Sequence, residues 1–254
     1  MAEDFGLVSI IMAAFNAEKT IECAVNSVLN QTFDDFELII IDDCSTDKTA
    51  EIVESFAEKD KRVRLLKNKE NKGVSLTRKR GLEEAKGEWI AILDSDDAWA
   101  PEKLEKQIVL QKKTNAELLF TGSAFMDENG EKLDWQLHVP AEINYKMLLR
   151  QNLISNSSSL VKRELYSQFF VVNDNIHEDY ATWLSILKTG RIAYGIDEPL
   201  LIYRINKSSK SGNKFKSAKM NWNTLKYSGL NCIQTAYFES VYAINSLKKY
   251  RNLK

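Results

Sequence analysis

The sequence predicts an α/β fold: a central, mostly parallel sheet flanked by helices, followed by a C-terminal helical tail. Three observations predict it. Short β-rich apolar runs alternate with helical patterns as far as Phe125, which is the signature of right-handed βαβ units. Acidic residues gather just past two of those runs, at Asp42-Asp43 and Asp94-Ser95-Asp96-Asp97, where open parallel sheets bind their ligands. The length, 254 residues with 44% hydrophobic content, suits one core with appendages and leaves little for a second independent domain.

In chain order, strands are expected at Leu7–Ala13, Phe36–Ile41, Val63–Lys67 and Trp89–Leu93, with Glu117–Phe125 a fifth. Ile21, Ala24, Val25, Val28 and Leu29 fall at helical spacing after the first, and Ile52, Val53 and Phe56 after the second. Asn16 and the Ser45-Thr46-Asp47 run supply N-cap residues for those helices, and Pro101 suits the first turn of a helix over Glu102–Lys113. Beyond Phe125 the pattern loosens. Asp127-Glu128-Asn129-Gly130 reads as a hairpin turn, and Ile143–Leu149, Arg163–Gln168 and Asp179–Lys188 read as short helices. The core is expected over 1–210, its first 97 residues forming one half and 98–210 the other, with a basic amphipathic tail over 211–254. That tail carries eight Lys or Arg against one acid, Glu239.

Charge balances over the whole chain, 35 Lys and Arg against 36 Asp and Glu, so no global field recruits nucleic acid. Cys23, Cys44 and Cys232 lack metal-type spacing, and Cys23 and Cys44 sit in what read as a buried helix face and a strand end. Free thiols, no basic leader and no apolar run near eighteen residues together point to a cytoplasmic protein, attached to a membrane at most from its surface.

Three carboxylates within Asp94-Ser95-Asp96-Asp97 repel one another unless protonated or bridged by a cation, and oxygen-only ligands suit Mg²⁺ or Mn²⁺. Asp residues also form turns and cap helices, but the position after a buried strand favours a diphosphate-binding role. A dinucleotide-type glycine fingerprint and a P-loop are both missing from the sequence. His138 and His177 have no partner at zinc spacing, and His138 reads as a surface imidazole. Glu178-Asp179 opens a helix, where acids favour the macrodipole whether or not one serves as a general base. Trp135, Trp183 and Tyr203 are candidates for stacking on the rings of a ligand, although core packing is the commoner use of such residues.

In order along the chain, Ser9-Ile10-Ile11-Met12-Ala13-Ala14-Phe15-Asn16, Ile41-Asp42-Asp43-Cys44-Ser45-Thr46-Asp47, Asn71-Lys72-Gly73-Val74-Ser75 with Arg78, Leu93-Asp94-Ser95-Asp96-Asp97-Ala98-Trp99 and Glu178-Asp179 resemble the motifs of the family 2 inverting glycosyltransferases with the GT-A, Rossmann-like fold. Lys103-Leu104-Glu105-Lys106-Gln107 and Tyr203-Arg204 resemble its bacterial surface-polysaccharide branch, including enzymes of teichuronic acid synthesis. The resemblance implies a UDP-sugar donor. Asp43 and Arg78 would contact its base end, Ala14, Phe15 and Asn16 would line that pocket, and Asp94 with Ser95 would face the ribose or sugar. It also implies Asp96 as ligand of an Mn²⁺ or Mg²⁺ ion on the diphosphate, Asp179 as general base with Glu178 supporting it, and a glycan or lipid-linked acceptor. Two departures stand out: Ala13 where the family usually has Pro, and Lys79 where Asn commonly follows the Arg. Sugar nucleotidyl transfer, noncatalytic nucleotide-sugar binding and glycoside hydrolysis are the competing readings. The apolar stripe of the tail packs on the core or on a second subunit as a homodimer, or else meets an anionic membrane surface.

Overall fold

The computed structural model describes residues 5–205 and 214–250. The elements run β1 (Val8–Ala14), α1 (Ile21–Leu29), β2 (Phe36–Asp42), α2 (Thr49–Lys59), β3 (Val63–Lys67), α3 (Val74–Glu84), β4 (Trp89–Ile92), β5 (Ala98–Trp99), α4 (Lys103–Thr114), β6 (Leu118–Met126) and β7 (Lys132–Leu137). They continue with β8 (Glu142–Ile143), α5 (Tyr145–Arg150), a 3₁₀ turn (Asn156–Ser158), β9 (Leu160–Lys162), α6 (Arg163–Phe169), α7 (Glu178–Lys188), β10 (Ala193–Arg204), α8 (Lys214–Tyr227) and α9 (Cys232–Tyr250). One sheet holds every strand, in the order β3-β2-β1-β4-β9-β6-β10-β5, with β7 on β6 and β8 on β10. The β3-β2-β1-β4 and β6-β10 pairings are parallel, and β9 is antiparallel to both β4 and β6.

The pleat explains the two cores. Alternate residues of a strand point to opposite faces, so Ile11, Ile39, Ile41, Ile90 and Ile92 bury one side with α5, α6 and α7. Ile10, Met12, Leu38, Ile40 and Ala91 bury the other side against α1, α2 and α4. All ten of these strand residues are fully buried, as expected where helices cover both faces of a sheet. Gly81 lets α3 lie directly on the sheet, because a Cβ there would meet Ile11 at 2.5 Å and Ile41 at 2.7 Å.

The ends of the five expected strands, now β1, β2, β3, β4 and β6, lie within one residue of the sequence-based boundaries, and the 127–130 turn joins β6 to β7 as expected. Three expectations need correction. Asn16 does not cap α1, which begins at Ile21; it stands at φ 49°, and its carboxamide oxygen accepts from Thr46 N at 2.9 Å in the neighbouring loop. Lys48 holds the cap position of α2, while Asp47 accepts from Thr49 N at 2.9 Å and so secures the first turn from one residue further back. Cys23 is exposed on α1, because the buried stripe runs through Ile21, Ala24, Val25 and Val28.

The expected boundary at 210/211 lies outside the described residues. Beyond it, α8 packs on α7, and α9 packs on α8 and α5. Leu225 and Thr235 are fully buried in these contacts, Thr224 Oγ1 accepts from His177 N at 3.0 Å, and Asn245 Nδ2 donates to Arg150 O at 3.2 Å.

Candidate active site at the carboxyl rim of the sheet

The carboxyl ends of β1, β2 and β4 form one rim, and their loops are stitched together by polar side chains. Ala14 is buried, whereas Phe15 immediately after it is 49% exposed. Asn16 receives Thr46 N and donates its own backbone N–H to Ser45 Oγ at 2.9 Å, so the loops after β1 and β2 hold each other. Ala17 N to Thr49 Oγ1 at 2.7 Å and Glu18 N to Asp47 at 3.0 Å continue the seam.

Asp43 is buried and already well used. Its carboxylate accepts from Asn68 Nδ2 at 2.7 Å, Lys72 N at 2.9 Å and Gly73 N at 2.9 Å. A carboxylate offers about four acceptor positions, so three are spent fixing the 68–73 loop. Gly73 sits at φ 82°, and a Cβ there would lie 2.3 Å from Asp174 Oδ2, so only glycine fits the turn that delivers this N–H.

Arg78, expected to reach the donor base, is held by protein partners of its own. It rises from α3 into a buried site where its guanidinium donates to Glu178 Oε1 at the start of α7 and to Asp94 Oδ1 after β4. With its amide turned, Asn156 Oδ1 accepts from the same two nitrogens at 3.3 and 3.2 Å. Burial opposes the charge, but Asp94 and Glu178 outweigh it and hold the guanidinium well above its ordinary value. Arg78 thus ties the two halves of the molecule together. Glu178 is buried in this knot, while Asp179, the next residue of the same first turn, is half-buried and makes no hydrogen bond or ion pair among the described residues.

Behind Asp94, the acids diverge. Ser95 and Asp96 are half-buried, and burial together with the Asp94 charge raises the Asp96 carboxyl to about 6. Asp97 is buried and accepts from Arg204 N at 2.9 Å, its other oxygen having no hydrogen-bond partner; burial pushes it well above the usual carboxylate range. Arg204 also donates to Asp96 O at 2.8 Å and to the Asp127 and Glu128 carbonyls at 3.3 Å, clamping the acidic loop to the β6–β7 turn. Of the three acids, then, Asp97 is structural and Asp94 is paired, which leaves Asp96 facing its neighbour's charge.

The fit of a divalent cation follows from that donor set. Oxygen-only ligands suit Mg²⁺ or Mn²⁺, and a cation beside Asp96 would restore the ionised form that burial and Asp94 disfavour. Among the described residues no three acidic, His or Cys side chains form a preformed cage. One or two carboxylates that share the ion with phosphate oxygens are the usual Mg²⁺ arrangement, and Asp94 and Asp96 can supply that.

Beneath the rim lies a support that sequence reading passed over, the buried Asn156–Ser159 turn. Ser157 Oγ accepts from Asp94 N at 3.2 Å, its carbonyl accepts from Trp99 Nε1 at 2.7 Å, and the Ser158 carbonyl accepts from Gln107 Nε2 at 3.0 Å. A polar Asn-Ser-Ser-Ser run before a β-strand looks like an ordinary loop, and only its complete burial distinguishes it. Lys103, fully buried on α4, completes the layer, with Nζ 2.9 Å from Gln107 Oε1 and 3.9 Å from the Trp99 ring centroid.

Burial alone pushes the Lys103 ammonium well below its usual range. A depressed folded value means that the unfolded chain binds more protons, so this residue's cost to stability grows as pH falls below about 10.4, the unfolded lysine value. Lys103→Met is therefore expected to raise Tm at neutral pH, by ~1–4 kcal/mol of stability, with the gain shrinking toward pH ~10. Thermal melts across that range check it, and a lower Tm at neutral pH would mean that the Trp99 and Gln107 contacts outweigh the burial cost.

Among the aromatics, Trp183 is buried and stacks on Tyr166 at 5.6 Å, so it belongs to the core. Trp135 and Tyr203 are half-buried around Phe125, at 4.1 and 5.8 Å from its ring. His138 is an exposed residue hydrogen-bonded to Asp197 at 3.1 Å.

A mostly parallel sheet covered on both faces, with acidic loops at the carboxyl ends of β2 and β4, defines the chain as a GT-A-fold protein. The fold is shared with the Staphylococcus aureus protein TarS, residues 1–349, solved with UDP-GlcNAc, at TM-score 0.72 and 18% identity over 95% of this chain and 72% of that one. It is also shared with the mannosyltransferase PcManGT from Pyrobaculum calidifontis, solved with GDP-Man and Mn²⁺, at TM-score 0.70 and 16% identity over 93% and 68%. The chain belongs to glycosyl transferase family 2, whose family model matches residues 9–176. Over 244 residues it is 38% identical to TuaG of Bacillus subtilis, named as a teichuronic acid biosynthesis glycosyltransferase, covering 96% of this chain and 97% of that one. It is 37% identical over 246 residues to WfgD of Escherichia coli, a UDP-Glc:α-D-GlcNAc-diphosphoundecaprenol β-1,3-glucosyltransferase, covering 96% and 95%.

Proposed function

We propose that this glycosyltransferase moves a sugar from a UDP-sugar to a hydroxyl of a lipid-linked glycan during bacterial surface-polysaccharide synthesis, with inversion and with a divalent cation. We place it in the cytoplasm, at the inner face of the membrane that holds such an acceptor. The relatives' names supply the donor and acceptor classes. The observation that carries the reading is the pair at the start of α7: Glu178 is tied through Arg78 to Asp94, and beside it Asp179 is half-buried and has no hydrogen-bond partner among the described residues.

In this reading Asp179 accepts the proton of the acceptor hydroxyl. The freed oxygen bonds to the anomeric carbon from the side opposite the diphosphate, whose C–O bond breaks, and the electron pair leaves with UDP. One displacement inverts the centre. The Glu178-Arg78-Asp94 knot fixes Asp179 relative to the donor loop, so the base and the leaving group keep their spacing. The exposed ring of Phe15 offers the donor base a stacking surface, Ala14 and Asn16 shape the floor beside it, and the remaining acceptor position of Asp43 meets the nucleoside. Asp96, with Asp94 and Ser95 alongside, would hold Mn²⁺ or Mg²⁺. The cation's contribution when bound is to neutralise charge developing on the diphosphate. Nucleotidyl transfer, noncatalytic binding and hydrolysis have no observation in this site that favours them.

Calorimetric titration with UDP tests the donor half. Affinity is expected to rise at least tenfold with Mn²⁺ in the parent chain and to show no Mn²⁺ dependence in Asp96→Ala. An Asp96→Ala variant that kept the full Mn²⁺ effect would remove Asp96 from the cation site, and absence of UDP binding under both conditions would remove the UDP-sugar.

A further inference from the structure

The tail presents a surface that the proposed chemistry does not use. It holds eight of the 35 Lys and Arg but one of the 36 acids, so the preceding 210 residues are acidic on balance and the tail strongly basic. The single acid, Glu239, is half-buried and bonded to Asn221 Nδ2 at 2.5 Å, so it does not offset the outer face. On α8, Lys216, Lys219 and Lys226 are exposed at spacings of three and seven, on one side of the helix, and Trp222 and Tyr227 are 36% and 55% exposed beside them. On α9, Ile233, Tyr237 and Ile244 are 83%, 58% and 54% exposed at spacings of four and seven, which puts an apolar stripe outward.

We propose that these outer faces of α8 and α9 dock on an anionic lipid bilayer, resting on the reading above that the acceptor is lipid-linked. Lysines flanking Trp and Tyr on α8, next to an outward Ile and Tyr stripe on α9, supply the composition that lies in a headgroup region, the rings and aliphatic groups entering it while the ammonium groups meet lipid phosphates. A second copy of the chain is disfavoured on charge. A two-fold interface sets the same patch against itself, and here it would oppose lysine to lysine. The location also suits the acceptor. α8 packs on α7, where Thr224 receives His177 N, so the docked surface lies one helix away from the turn bearing Asp179.

Sedimentation of the full chain with phosphatidylcholine vesicles, with and without phosphatidylglycerol, tests the proposal. The chain is expected to pellet with the anionic vesicles alone and to be released by added salt. Lys216→Gln/Lys219→Gln/Lys226→Gln should weaken that binding by roughly a hundredfold. Ile233→Ser/Tyr237→Ser/Ile244→Ser should weaken it at least tenfold, because the substituted side chains are the ones exposed in water. UDP affinity should be unchanged in both variants, which shows that they fold. Failure to pellet with anionic vesicles overturns the proposal, as does equal pelleting of parent and variants. A parent dimer in light scattering that both variants abolish, without vesicle binding, would assign the face to a second copy instead. Vesicle binding without sugar transfer to any lipid-linked acceptor would leave the docking surface standing and remove the proposed function. Transfer without vesicle binding would do the reverse.

Discussion

Asp179→Asn is expected to slow sugar transfer by about 10²–10⁴-fold while leaving UDP affinity and Tm close to those of the parent chain. The split follows from what each neighbour touches. Asp179 has no hydrogen bond or ion pair among the described residues, so replacing its carboxylate by an isosteric amide breaks no contact in the resting protein. It removes only the capacity to take a proton. Glu178, one residue earlier, is buried against Arg78, and Glu178→Gln should instead lower Tm and weaken donor binding together, since the knot also orients Asp94. Single-turnover rates, UDP titration and melting on the two variants read these differences directly. A loss of UDP affinity in Asp179→Asn equal to its loss of rate would move the residue to the donor site, and unimpaired transfer would remove it from the chemistry.

What the sequence made legible has a physical pattern. The βαβ half was readable because its central strands, β1, β2 and β4, are short, almost wholly buried and β-rich, so a run such as Leu38-Ile39-Ile40-Ile41 announces itself. Acids directly after those runs were readable for the same reason: the strand end fixes where the rim is. Partnership was not readable. Nothing in the spacing of Arg78, Asp94 and Glu178 says that a guanidinium spans them, because the three come from α3, the loop after β4 and α7, up to 100 residues apart. Arg204 appeared only as part of a local resemblance, and its clamp on Asp96 and Asp97 spans more than 100 residues of sequence. The Asn156–Ser159 turn was missed altogether, since four small polar residues carry no periodicity and their importance lies in burial. N-caps failed differently. Asn16 is a cap-type residue whose side chain bonds across the rim instead, whereas Asp47 does both, securing the first turn of α2 and accepting from Glu18 N across the rim.

Arg78→Met carries the largest expected cost to folding, about 3–5 kcal/mol at neutral pH, because it leaves Glu178 buried without the Arg78 charge. Its pH dependence distinguishes this cause from simple loss of packing. In the parent, the Asp94 and Glu178 carboxylates hold the Arg78 guanidinium charged against the cost of its burial. Without it, burial of Glu178 disfavours the charged form, and the folded variant is expected to favour the protonated acid relative to the unfolded chain. The folded variant then binds more protons than the unfolded one, so its stability rises as pH falls through the window between the unfolded and the raised folded values. The deficit relative to the parent should therefore be greatest at neutral pH and should narrow in mild acid. Adding Glu178→Gln should recover part of the loss, since the buried carboxylate charge is then gone and only the hydrogen bonds remain broken. Denaturant unfolding of parent, single and double variants at two pH values measures all three effects. A pH-independent deficit of the same size would assign the loss to packing around α3 and would leave the charge knot as a device for orienting Asp94 alone.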